Sequence, residues 1–367
     1  MGHLRLIDIN HATDDLRVGT PINDSQGRTL VEPGTRLTPY IIEHLKNYNI
    51  SKIVVEPNNI SKRHYKTDDD ISTAAKQRIK ELYTPDPARV RLSSSTKRNM
   101  LQGMRLIYDP YTSQKELANT AKSIINDLMK AIKKNDAVTV NVNDLRLNDR
   151  YTYSHSIDVA TIAIIIGKTQ KRTQSDVFDL GMAGLLHDIG KMRIPKEILH
   201  KPTILTPDEY EIVKKHTIYA YEMLEDNADI KDSISLGILQ HHEKLDGSGY
   251  PNGDRLGMIH PYAKILAIAD IFDAMVTSRP YRKGISPRKA AEMLLGMSDK
   301  LDIKDIQAFL NTIILYPANT IVRLSNGESA KVIRKNPNYP MRPVVVGIHT
   351  GTVYDLANIH YQNITIE

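Results

Sequence analysis

A chain of 367 residues that is 41% hydrophobic and 25% charged has room for two or three domains and enough apolar mass for packed cores, which excludes global disorder. It contains no cysteine, so disulfides, thiolate metal sites and a cysteine nucleophile are excluded, and His, Asp and Glu are the strong metal ligands left. The net charge of +6 comes from 49 basic against 43 acidic residues, and without a concentrated basic patch or a reading module it makes no case for a DNA or RNA partner.

From Leu4 to about Pro57, β-like runs (Leu4–Ile9, Thr29–Val31, Lys52–Val55) surround one helical run, Pro39–Asn47, so residues 1–60 read as a small α+β module. Residues 58–70 are polar, charged and aperiodic, which places a boundary there. Residues 61–137 read as a charged linker and helical connector. Its clearest feature is a stripe of Leu117, Ala121, Ile124, Ile125, Leu128 and Ile132, spaced for core or for an interdomain or dimer contact. Residues 138–316 read as a series of helices with short connections. Thr206-Pro207-Asp208-Glu209 and Ser286-Pro287 mark two helix starts by cap and first-turn proline. The longest apolar run, Val159–Gly167, is broken by Thr161 and too short to span a membrane, so it reads as a buried helix. After Pro317, the runs Ile321–Leu324, Ala330–Ile333, Val344–Ile348 and Ile364–Ile366 give a small β-rich module over 317–367. The fold class expected is mainly α, an all-helical central domain with strand-containing terminal modules. No export signal is visible, so a cytoplasmic location is expected.

The chemistry concentrates in the helical domain. In Leu185-Leu186-His187-Asp188-Ile189-Gly190-Lys191 an apolar helix ends in an imidazole, a carboxylate and, after glycine, a lysine. Adjacent His and Asp can reach one metal cluster, and a carboxylate can bridge two ions; helix capping is the bland alternative. His155, His216, His241-His242 and Asp270 fall on four further predicted helices. His216 lies among Val213, Ala220 and Met223, and could instead be a core histidine bonded to a carbonyl. Asp270, within the apolar helix Ile265–Met275, could instead form a buried salt bridge. One shared metal centre accounts for all of them together.

The order His155, His187-Asp188, His216, His241-His242, Asp270 resembles the HD-GYP branch of the HD metal-dependent phosphohydrolases. His241-His242-Glu243-Lys244-Leu245-Asp246-Gly247-Ser248-Gly249-Tyr250-Pro251 matches the extended motif of that branch nearly in full. The match continues through Ala269-Asp270-Ile271-Phe272-Asp273-Ala274-Met275 to Ser278-Arg279-Pro280-Tyr281-Arg282, so it spans roughly half the chain. The resemblance implies two divalent metal ions, iron or manganese, held by His155, His187, Asp188, His216, His241, His242 and Asp270, with Asp188 as bridge. It implies hydrolysis of cyclic di-GMP to pGpG, and onward to GMP, by a metal-activated hydroxide. Asp188 and Lys191 are then the catalytic residues, and Lys191, Tyr250, Arg279 and Arg282 meet the substrate. In the Asp246–Pro251 turn, Gly247 and Gly249 are expected to take positive φ.

Some members of the family carry a glutamate one helical turn before the first ligand histidine and hold a third ion with it. Tyr151 stands there in this chain, which implies a dinuclear centre; Asp149 is offset on the helix. Two rival readings share the site, a cyclic-dinucleotide receptor with little turnover and a hydrolase for another cyclic dinucleotide such as cyclic GMP-AMP. The terminal modules show no doubly wound receiver pattern. A homodimer is expected along the Leu117–Ile132 stripe.

Overall fold

A computed structural model of the chain describes residues 5–9, 12, 16–24, 28–35, 37, 39–48, 50–56, 71–87, 92–134, 151–277 and 284–367. It divides into two units, Met1–Asp70 and Ile71–Glu367. In the first, β1 (Arg5–Asp8), β5 (Lys52–Glu56) and β2 (Arg17–Val18) form an antiparallel sheet in the order β1-β5-β2, and β3 (Ile22–Asn23) pairs with β4 (Thr29–Val31). Ile53 and Val55 alternate inward along β5, and α1 (Pro39–Asn47) sends Leu45 into the same core with Val18, Ile22 and Leu37. The two-residue strands β2 and β3 are too short to show a period in the sequence.

The second unit is built on α5 (Tyr151–Thr169), preceded by α2 (Thr73–Leu82), α3 (Ser94–Ile107) and α4 (Gln114–Lys134). Ile157 and every residue from Val159 to Ile166 are buried. A helix apolar on all sides belongs at the centre of a bundle, and α6 (Gln174–Leu186) packs along it. A 3-10 turn (Ile189–Arg193) and α7 (Lys196–Leu199) lead to α8 (Pro207–Lys214), α9 (His216–Leu224) and α10 (Asp232–Leu239). Then come α11 (Pro261–Val276), α12 (Pro287–Leu295) and α13 (Ile303–Thr312). Phe272 of α11 meets Phe309 of α13 edge to face, with centroids 4.6 Å apart, and locks the far side of the bundle. No helix among the described residues is long and apolar enough to cross a membrane.

Of the readings open for the α4 stripe, core is the one the structure has. Leu117, Ala121, Ile124, Ile125, Leu128 and Ile132 are all buried in the bundle's own core, beside residues of α3, α5 and α6. The apolar face that would have attracted a second copy is already covered.

The C-terminal sheet runs β6 (Ile321–Arg323), β7 (Ser329–Arg334), β8 (Val344–Gly347), β9 (Val353–Asp355), all antiparallel. The run Ile364–Ile366 does not supply a strand; it contributes a single bridge, Ile366 to Leu324. All four residues of β8 are buried, so β8 needs a neighbour on each edge, and β9 is the one close enough in the chain to return beside it. Helix α2, expected within the connector, packs on β7 and β8. The Ser72 amide donates to the Ile348 carbonyl at 2.9 Å and the Thr84 amide to the Ile333 carbonyl at 3.0 Å.

The anticipated capping box opens α8. Thr206 Oγ1 accepts from the Glu209 amide at 3.3 Å and Glu209 Oε2 accepts from the Thr206 amide at 2.8 Å. Thr206→Ala is expected to cost about 1 kcal/mol, read as a lower denaturant midpoint at unchanged slope.

Candidate metal centre

Three helices end at one place. His187 follows the last residue of α6, His216 stands just past α8, and His241 lies two residues beyond α10. Helix ends leave carbonyls without partners, and each histidine supplies one. His187 Nδ1 donates to the Gly184 carbonyl at 2.8 Å, His216 Nδ1 to that of Val213 at 2.8 Å, and His241 Nδ1 to that of Ile238 at 2.6 Å. Each bond puts the proton on Nδ1 and leaves the Nε2 lone pair facing inward. All three Nε2 atoms are buried and have no hydrogen-bond partner, which is costly for a polar atom unless a cation takes it.

The potential ligands fall into two groups, His155 with His187 and Asp188, and His216 with His241 and His242, each with ligand atoms within 4.8 Å of one another. Two carboxylates span them. Asp188 sets Oδ2 3.3 Å from His187 Nε2 and 3.8 Å from His155 Nε2, while Oδ1 lies 3.5 Å from His216 Nε2. Asp270, on α11, sets Oδ1 3.1 Å from His155 Nε2 and Oδ2 3.9 Å from His242 Nδ1. The residues fit a pair of divalent ions, since nitrogen and carboxylate donors, inward lone pairs and spanning acids are what such a pair requires.

The protonation states suit that reading. Burial pushes the pKa of His216, His241 and His242 down, keeping these imidazoles neutral. Burial works against ionisation of Asp188, but the neighbouring His187 and Lys191 outweigh it and hold the carboxyl well below the usual range. Asp270 behaves alike, with burial overcome first by the hydrogen bond with His155. His155 differs: burial opposes its charge, yet Asp270 and Asp273 raise it to about 10, which keeps this imidazole protonated between the two carboxylates.

Lys191 donates to Asp188 Oδ2 at 2.6 Å from the 3-10 turn. Gly190 lets that turn press on α9, because a Cβ there would strike the His216 carbonyl and the Ala220 amide nitrogen. Tyr250 stacks at 31° on His242, centroids 4.7 Å apart. In its loop Gly247 has φ +82° as expected, but Gly249 does not take positive φ; it is needed because a Cβ would strike the backbone of His242, Glu243 and Lys244. Arg279 and Arg282 lie outside the described residues, as do Asp149 and the side chain of Tyr151.

The sequence reading missed two residues. Asp273 accepts from His155 Nδ1 at 2.7 Å through Oδ2, with Thr277 Oγ1 on Oδ1 at 3.1 Å. It is a buried acid on the same apolar helix as Asp270, one turn on, so the argument made for Asp270 applied to it equally. Glu243, buried, accepts from the amides of Asn252 at 2.7 Å and Asp254 at 3.0 Å and so pins the loop carrying Tyr250. Nothing in a surface-type glutamate inside a turn signals that role.

An all-helical domain that gathers five imidazoles and two carboxylates into paired ligand groups defines a metal-centred hydrolytic class. The family model described as HD domain matches residues 119–304, and the chain belongs to that family, in its HD-GYP branch. It is 30% identical over 268 residues to a cyclic di-GMP phosphodiesterase of Pseudomonas aeruginosa, covering 71% of this chain and 65% of that one. It is 30% identical to another from Borreliella burgdorferi, covering 57% and 56%, and 38% identical to one from Thermotoga maritima, covering 44% and 45%. The chain thus spans less than two thirds of the length of each of these relatives.

Proposed function

We propose that this chain is a metal-dependent phosphodiesterase that opens cyclic di-GMP to pGpG and carries it on to GMP, using two divalent ions of iron or manganese. The observation that carries the reading is the convergence of three buried, unpartnered Nε2 atoms on two ligand groups spanned by Asp188 and Asp270. His155, His187, His216, His241, His242, Asp188 and Asp270 hold the ions. Bound divalent ions supply Lewis acidity and make water acidic enough to attack phosphorus near neutral pH.

The chain's own groups do the remainder. Lys191, beside Asp188, sets its ammonium against the charge that grows on the phosphate as attack proceeds. Tyr250 lines the ligand side of His242, and the forked guanidinium groups of Arg279 and Arg282 grip phosphate or guanine edges.

The test is anaerobic incubation of manganese- or iron(II)-loaded protein with cyclic di-GMP, followed by chromatography, with cyclic GMP-AMP in parallel. pGpG and then GMP are expected. Tight binding without product at verified metal loading would replace the reading by a receptor, and faster opening of cyclic GMP-AMP would replace the substrate.

A further inference from the structure

We infer that Lys214 holds the second phosphate of the cyclic dinucleotide, the one that is not being cleaved; this rests on the proposed activity. Lys214 closes α8, two residues ahead of His216. Its Nζ lies 5.7 Å from the ring centroid of Tyr250 and 5.6 Å from that of Tyr210, so the ammonium is held between two aromatic faces. Tyr250 in turn stacks on His242. A cation is thus stationed one ring away from a member of the metal-ligand set.

Its present partner is weak. Lys214 pairs with Glu211 at 2.6 Å, but the Glu211 side chain is 65% exposed while that of Lys214 is 25% exposed. An ion pair with so solvated a carboxylate contributes little and exchanges readily. The half-covered ammonium keeps donors to spare for an anion arriving beside Tyr250.

The substrate supplies that anion. A cyclic dinucleotide carries two phosphodiesters in one ring, and only one can lie in line with the attacking oxygen. The other stays charged in the bound molecule, and an anion removed from water without a partner is costly. Lys191 is committed to Asp188, and burial pushes the pKa of Lys244 down against the pull of Asp270 and Asp246, which makes it the weaker cation. Among the described residues around the centre, Lys214, with no carboxylate but Glu211 within ion-pairing distance, is the cation left to answer the second phosphate; Arg279 and Arg282 then serve the guanine edges.

The experiment compares two substrates on manganese-loaded full-length protein, cyclic di-GMP and bis(p-nitrophenyl) phosphate, a diester with a single phosphate. With Lys214→Met, KM for cyclic di-GMP is expected to rise about tenfold more than KM for the single-phosphate diester, with kcat on cyclic di-GMP within a factor of about three, as befits loss of one charge-assisted contact. Lys214→Arg should restore most of the loss. Equal movement of KM on both substrates would mean a displaced His216 and overturn the assignment. It falls also if neither KM moves, or if Lys244→Met gives the selective effect instead. Should the unmodified chain fail to turn over cyclic di-GMP, the proposed activity falls by itself. Lys214 is then read by equilibrium binding of cyclic di-GMP, where an unchanged Kd in Lys214→Met overturns it and a tenfold weaker one supports it.

Discussion

On the proposed activity, Asp188→Asn is expected to lower turnover of cyclic di-GMP by about a thousandfold or more and to reduce metal content below the two ions per chain proposed for the unmodified protein. The substitution keeps the shape and removes what matters. Asp188 is the acid whose Oδ2 faces His155 and His187 while its Oδ1 faces His216. An amide offers one neutral oxygen where the carboxylate offers two anionic ones, so it can serve one ligand group but not span both. It also removes the negative charge that pairs with Lys191 at 2.6 Å, leaving a weaker hydrogen bond to hold the ammonium in its proposed place. Elemental analysis beside steady-state kinetics separates these consequences. Two retained ions with turnover within tenfold of the unmodified protein would remove Asp188 from the spanning role.

The helix-end chemistry behind this prediction was partly legible in the chain. A histidine just beyond an apolar helix, as at His187 and His241, is in reach of the last-turn carbonyls by local geometry alone, and the ordered series of His and Asp named the branch. The capping box at Thr206 and the buried course of Val159–Gly167 are local too, and the structure has both. What stayed hidden depends on partners distant in sequence. The stripe on α4 has the same spacing whether it meets a second copy or its own bundle, and only the positions of α3, α5 and α6 decide. Strand β9, Val353–Asp355, is three residues long and ends on an acid, so it offers no apolar run to read. Helix α2 joins the C-terminal sheet through hydrogen bonds to residues late in the chain, Ile333 and Ile348. The role of Glu243 arises only when the loop folds back on it.

Asp273→Asn is expected to weaken metal binding by about 10- to 100-fold while leaving the fold intact. His155 is unlike His187, His216 and His241, because its Nδ1 bonds to a carboxylate instead of a helix-end carbonyl. A carboxylate partner makes Nε2 a stronger donor and holds the ring in one orientation. An asparagine can keep the hydrogen bond through its oxygen but contributes no charge, and it can turn its amide nitrogen inward, where Nδ1–H would face another donor. The loss therefore falls on affinity, and saturating manganese should recover most of the turnover that Asp273→Asn loses, unlike that lost in Asp188→Asn. Metal titration of apo-protein, with turnover measured at each point, reads both quantities. An unchanged metal titration curve would reduce Asp273 to a packing role; a deficit that no concentration of metal repairs would make it a participant in the reaction itself.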